Sequence, residues 1–165
     1  EGATVLDAQT GAYYTPITAL DFASLYPSIM VAHNLCYSTI VMDPKYDNLP
    51  GVIYEQYGEH RFAQGVPSLL PEILTELKAF RKKAKKDMAR SEGTPLEAIY
   101  NGKQLAYKTS MNSVYGFTGA VNGGMLSLVA IAATVTMRGR QMIEETKNYV
   151  EKRFEGARVR YGDTD

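Results

Sequence analysis

Apolar residues recur at helical spacing between Ser68 and Arg90. Leu70, Leu74, Leu77, Ala84 and Met88 share one face, which predicts an amphipathic helix. Gly93 stops it. Thr94-Pro95-Leu96-Glu97 then carries a capping-box signal with proline in the first turn. A second helix is expected from 95 to about Tyr115, with Asn101-Gly102 as a site for a kink or break. So short a connection predicts an antiparallel helical pair. After Gly123-Gly124 a long helix is expected over 125–154. Its apolar opening, Met125 to Met137, contains Ser and Thr, is too short to span a bilayer and reads as a buried helix.

The periodicity changes outside this block. Residues 3–22 read as two strands joined by a turn at Thr10-Gly11, the second strand ending near Asp21. Pro27 fits a first helical position, where its missing N–H is no loss, so a helix is expected over about 27–36. Residues 43–66 scatter Pro, Gly and Tyr and read as a loop with short strands. The chain closes with an expected strand, Ala157 to Tyr161, entering a turn at Gly162. This order implies an α+β fold with an inserted helical pair.

Composition adds bounds. The 165 residues suffice for one ordinary domain, and 45% hydrophobic with 22% charged is a globular mixture. No secretory signal is visible. A single cysteine, Cys36, excludes a disulfide framework and favours a reducing compartment. His33 and Cys36 lie three apart, but two soft ligands do not make a zinc site. Net charge is zero. The distribution is uneven, however. Lys78, Arg81, Lys82, Lys83, Lys85, Lys86 and Arg90 face one acid, Asp87, across 78–90, and the remaining chain is net acidic. A local basic patch on an acidic body points to a phosphate site rather than a general nucleic-acid coat.

Three segments carry candidate chemistry. In DFASLYPSI, residues 21–29, an acid precedes a helix N-terminus whose backbone N–H groups favour anions. A cation between acid and anion explains the pairing; an ordinary Asp cap is the plainer alternative. In KTSMNSVYG, residues 108–116, Lys108, Asn112 and Tyr115 share a helical face. Cation, amide and ring suit a phosphate, a polar edge and a base; a surface lysine beside a core tyrosine is the alternative. In YGDTD, residues 161–165, Asp163 and Asp165 alternate onto one side of an extended chain, as a cation site or as an acidic turn. If the strands expected before Asp21 and Asp165 are neighbours, these carboxylates converge. Oxygen ligands without His or Cys select Mg²⁺. Two such ions about 3.5–4 Å apart clamp the attacking and leaving oxygens of an in-line phosphoryl displacement.

DFASLYPSIM, KTSMNSVYGFTGA and YGDTD resemble, in order, the three polymerase motifs of family B DNA polymerases. HNLCYSTI and GRQMIEETK are similar to delta-type and algal-virus members, and the resemblance covers essentially the whole chain. It implies an incomplete palm in two pieces, residues 1–66 and residues 119–165, with a fingers helical hairpin inserted between them at 67–118. Asp21 and Asp165 would bind two Mg²⁺ ions, the Phe22 carbonyl would touch the nucleotide-side ion, and Asp163 would be a third carboxylate. Backbone N–H groups of Ser24 and Leu25 would hold the triphosphate. Tyr26 would lie under the sugar and reject a 2′-hydroxyl. Arg81 and Lys85 would bind phosphate. Lys108 would reach the phosphates and protonate departing pyrophosphate. Asn112, Tyr115 and Gly116 would line the base-pair pocket.

The implied partners are primer–template DNA and a dNTP, with a sliding clamp engaged through regions outside this sequence and no membrane. The implied location is the nucleus for a cellular enzyme, and the host nucleus or a cytoplasmic factory for a viral one. The resemblance also implies a piece of a longer protein, without exonuclease or thumb and inactive alone. A ribonucleotide-using palm polymerase is disfavoured by the bulk of Tyr26. A non-catalytic binding remnant is disfavoured by intact Asp21, Arg81, Lys108 and Asp165.

Overall fold

The computed structural model describes residues 5–120 and 124–163. In chain order they form β1 (Val5–Leu6), α1 (Leu25–Ala32), a 3₁₀ turn (Pro44–Tyr46), β2 (Ile53–Tyr57), β3 (His60–Gln64), α2 (Leu69–Arg90), α3 (Pro95–Thr118), α4 (Val129–Arg153) and β4 (Gly162–Asp163). The α+β class expected from the sequence is what folds. Among the described residues, no helix is long and apolar enough to cross a membrane.

The helix α1 begins earlier and ends earlier than the spacing around Pro27 predicts. Pro27 is its third residue. None of the first four amides has an intrahelical acceptor, so proline is tolerated there as readily as at the first position. The end is set by Asn34, which adopts φ 50°. The Leu35 amide then donates to the Met30 carbonyl at 2.9 Å and the Asn34 amide to the Val31 carbonyl at 3.4 Å, a Schellman closure. Asn34 is fixed in turn by its side-chain amide, which donates to the carbonyls of Ala63 (3.0 Å) and Val66 (2.9 Å).

β2 and β3 form an antiparallel hairpin in the register Ile53↔Gln64 to Tyr57↔His60. Gly58 supplies the positive φ, 59°, that its two-residue connection needs. A bridge from Ile40 to Phe62 lays residues 39–41 along the other edge of β3. Phe62 is thereby fully enclosed.

α2 and α3 form the expected antiparallel pair. The Phe80 and Tyr107 rings lie 5.8 Å apart, and Arg81 reaches Gln104. The capping signal is modified. Glu97 reaches back to the Gly93 amide at 2.8 Å, one residue upstream of the cap, while the Thr94 hydroxyl donates to the Ser91 carbonyl. Helix α3 runs unbroken through Asn101-Gly102; Gly102 is exposed and the Asn101 amide oxygen accepts from Gln104. The base of the pair is buried through Leu70, Leu74, Met111 and Val114, whereas Leu96, Ile99 and Leu105 toward the tip are exposed.

Two strand expectations fail. No strand forms at 12–21; every residue there is exposed, and Pro16 interrupts any ladder. Residues 157–161 are also not a strand. The pairing moves to Gly162, with Val5↔Asp163 and Leu6↔Gly162 antiparallel. The reason is packing. A Cβ at 162 would lie 3.0 Å from Ile143 Cδ1 and 3.2 Å from Leu6 Cδ1, so any larger residue would push these side chains aside. α4 starts at Val129 rather than 125.

One core joins these elements. Leu25, Ile29 and Met30 of α1 meet Leu35, Cys36, Ile40 and Phe62, the bases of α2 and α3, and Ile131 and Val135 of α4. Phe62→Ala, at a position with 0% exposure, is expected to cost about 3–5 kcal/mol. Leu96→Ala near the hairpin tip is expected to stay within about 0.5 kcal/mol. Urea denaturation of the two variants checks the contrast.

Candidate active site

The N-terminus of α1 is the point where side chains from α1, α2 and α3 approach one another. Ser24 precedes the helix in the left-handed region, φ 52° and ψ 63°, and its hydroxyl caps no amide. That geometry aims the opening amides of Ser24 and Leu25 outward, with no acceptor inside the helix. The Ser24 hydroxyl instead accepts from Arg81 Nη1 at 3.2 Å. Arg81 is half-buried on α2 and also donates through Nε to Gln104 Oε1 at 3.4 Å. One turn earlier on α2, Lys78 Nζ donates to the Ser28 hydroxyl at 3.3 Å, and that hydroxyl donates to the Ala23 carbonyl at 2.8 Å. The two cations therefore flank an anion-favouring helix end.

Aromatic contact supplies the second link. The Tyr26 and Tyr115 rings lie 4.6 Å apart with planes tilted by 44°. Burial, and secondarily the neighbouring Tyr26, raise the Tyr115 phenol above its ordinary value, so it stays a neutral hydrogen-bonding group at physiological pH. Lys108, Asn112 and Gly116 lie exposed along α3, and Lys85 is exposed one turn beyond Arg81.

The two described candidate carboxylates, Asp21 and Asp163, are both exposed. Asp21 is exposed in the chain leading to α1, and Phe22 packs its ring against the core. Asp163 is exposed on β4 and accepts from the Tyr161 hydroxyl at 2.7 Å, a bond that holds the Tyr161 phenol protonated to higher pH than usual. Asp165 lies outside the described residues. Among those described, no group of three or more His, Cys, Asp or Glu side chains is placed to hold a metal. The expectation that Asp21 ends a strand fails with the strand itself. Motif spacing also gave no notice of Ser24 accepting from Arg81 or of Gln104, and the basic run that contained Lys78 did not show that it bonds Ser28. Gly139, pressed against Tyr26 from α4, was missed as well; a lone glycine inside a helical pattern is the signal that marks it.

Comparison with known proteins identifies the family. The sequence model for DNA polymerase family B matches residues 1–165. A DNA polymerase of Paramecium bursaria Chlorella virus NY2A is 48% identical, with all of this chain and 19% of the viral protein aligned. The DNA polymerase delta catalytic subunit of Arabidopsis thaliana is 50% identical over all of this chain and 16% of its own length. The structure of the family B DNA polymerase from the archaeon Pyrobaculum calidifontis superposes with a TM-score of 0.72 and 29% identity, over 88% of this chain and 19% of that one. The chain belongs to DNA polymerase family B. It spans under a fifth of the length of the curated relatives it matches.

Behind the site, His33 clasps α1 to its neighbours. Arg138 Nε on α4 donates to His33 Nε2 at 3.4 Å, which assigns the ring hydrogen to Nδ1, 2.7 Å from the Tyr57 hydroxyl. Tyr57 donates onward to Glu55, and the Gln64 amide donates to the His33 carbonyl at 2.9 Å. Burial first, and then the Arg138 charge, lower the His33 pKa from 6.5. The hydrogen bond from Tyr57 lowers that of Glu55 from 4.5. Burial and Glu55 raise the Tyr57 phenol far above its usual value. Well above pH 6.5 His33 is neutral in folded and unfolded chains alike. Below it the unfolded chain takes up a proton that the folded one resists, and stability falls. The Glu55 contribution is present above 4.5 and is lost as pH falls through its lower folded value. Both signs agree. The melting temperature is expected to drop between about pH 6.5 and about pH 5. His33→Asn should flatten that slope, and a thermal melt series across pH measures both.

Proposed function

We propose that this chain is the nucleotide-binding and catalytic portion of a DNA-directed DNA polymerase, which adds dNTPs to a primer 3′ end paired with a template. One observation carries the reading: Arg81 and Tyr115, from two segments distant in sequence, meet Ser24 and Tyr26 at one helix N-terminus. In this reading residues 1–66 and 119–165 belong to the palm and 67–118 are the fingers.

The triphosphate lies against the amides of Ser24 and Leu25. Arg81, which donates to the Ser24 hydroxyl, exchanges that acceptor for a phosphate oxygen. The exchange strengthens its bond, because charge-assisted pairs outweigh neutral ones. Lys85 and Lys108 add positive charge from the two facing helices, and Lys108 gives a proton to departing pyrophosphate. Tyr26 occupies the space that a 2′-hydroxyl needs. Asn112, Tyr115 and Gly116 form the wall against which the new base pair is judged. The exposed tip of the α2–α3 pair lets it swing toward the bound nucleotide and exclude water from it.

Asp21, Asp163, Asp165 and the Phe22 carbonyl are the groups assigned to divalent cations. The donors are all oxygen, without nitrogen or sulfur, which fits Mg²⁺. When bound, two such ions supply Lewis-acid stabilisation of the phosphoryl charge and of the attacking hydroxyl. The substrates inferred are primer–template DNA and dNTP. The location inferred is the nucleus, or a viral factory for a virus-encoded enzyme.

Two experiments on a full-length family B relative, at the matching positions, test the reading. Asp21→Asn or Asp165→Asn is expected to lower primer extension by roughly three orders of magnitude or more, with primer–template affinity nearly unchanged. Near-normal turnover in either variant rejects the metal assignment. Tyr26→Ala is expected to raise ribonucleotide incorporation about ten- to hundredfold relative to dNTP in single-turnover assays. Unchanged sugar selectivity removes Tyr26 from the gate.

A further inference from the structure

Gly139 is buried in the interior of α4, where glycine weakens a helix relative to alanine. Its φ is not in the left-handed region, so the backbone does not require glycine. What requires it is the neighbour. A Cβ at 139 would lie 3.3 Å from Tyr26 Cε1, with Leu25 Cδ2 at 3.8 Å and Ile29 Cδ1 at 3.9 Å. The first contact is tighter than a relaxed methyl–ring contact, and the other two are ordinary van der Waals distances.

Neither helix is free to back away. Arg138, the adjacent residue, is tied to His33 at the end of α1. Ile131 and Val135, on the preceding turns of α4, are 0% exposed in the core shared with α1. The Tyr26 ring also rests against Tyr115, centroids 4.6 Å apart. An added methyl at 139 therefore displaces the ring rather than the helices.

We propose that Gly139 is a specificity-positioning residue: by lacking a side chain it seats the Tyr26 ring against α4 and so sets the depth of the space left for the sugar. This rests on the reading of Tyr26 as the sugar gate. Gly139 touches no substrate in this account; it acts only through Tyr26.

The test is a double-mutant cycle of Gly139→Ala and Tyr26→Ala in a full-length relative, reading KM and kcat for dNTP and for the matching ribonucleotide, primer–template affinity and melting temperature. Gly139→Ala alone is expected to raise the dNTP KM about three- to tenfold with kcat within about twofold, and DNA affinity should not move. In the Tyr26→Ala background the same substitution should leave KM unchanged. Should Gly139→Ala impair folding through the clash, the double variant regains its melting temperature. An effect of equal size in both backgrounds, or none in either, overturns the inference while leaving the gate intact. Unrelaxed sugar selectivity in Tyr26→Ala alone fells the gate reading, and the inference with it.

Discussion

The structure depends on a short helix that cannot stand by itself. α1 spans Leu25–Ala32, fewer residues than an isolated helix needs in water. Its shape is imposed from outside. Ser24 fixes the entry in the left-handed region, Asn34 closes the exit, and α2, α3 and α4 all pack against the cylinder between. Leu25, Ile29 and Met30 are buried in that packing, and the Tyr26 ring packs against the same core. The residues that present the anion-favouring amides are thus positioned by helices far along the sequence. A loss of packing at the base of α2 and α3 would reach the site without touching it.

The helical portion of the fold was legible in the sequence because it is local. Apolar spacing, the Gly93 stop and the Thr94-Pro95 start locate α2 and α3 within a few residues. The strands were less legible. Val5 and Leu6 pair with residues at the opposite end of the chain, and the register is chosen by contact of Gly162 with Ile143 and Leu6. No local pattern contains that contact. The run 12–21 has strand-forming residues but no paired strand among the described residues, so propensity alone did not make a strand.

The site divides in the same way. Helical spacing pointed to Lys108, Asn112 and Tyr115 on one face, and the basic run 78–90 with the family resemblance pointed to Arg81. What spacing could not supply was which groups meet across segments. Arg81 bonds Ser24 and Gln104, Tyr26 touches Tyr115 and Gly139, and each pair bridges different elements. Gln104 is instructive. A buried polar residue on α3 looks like a flaw in an amphipathic pattern, yet its amide joins Asn101 to Arg81 and leaves both ends satisfied.

In the proposed reading the cationic and anionic groups are prepared differently, and electrostatics explains why. Arg81 already has neutral acceptors on two elements, so its guanidinium is oriented before any phosphate arrives. Little entropy is left to lose when it engages an anion. Carboxylates cannot be prepared in that manner. Gathered in a dry interior, they would repel one another and take up protons, which would spoil them as ligands for a hard cation. Asp21 and Asp163 are instead solvent-exposed, on chain segments flanking the core rather than inside it. Water screens their charge. In the proposed reading the aromatic and basic wall comes with the fold, and the acidic side would be completed only when a cation binds.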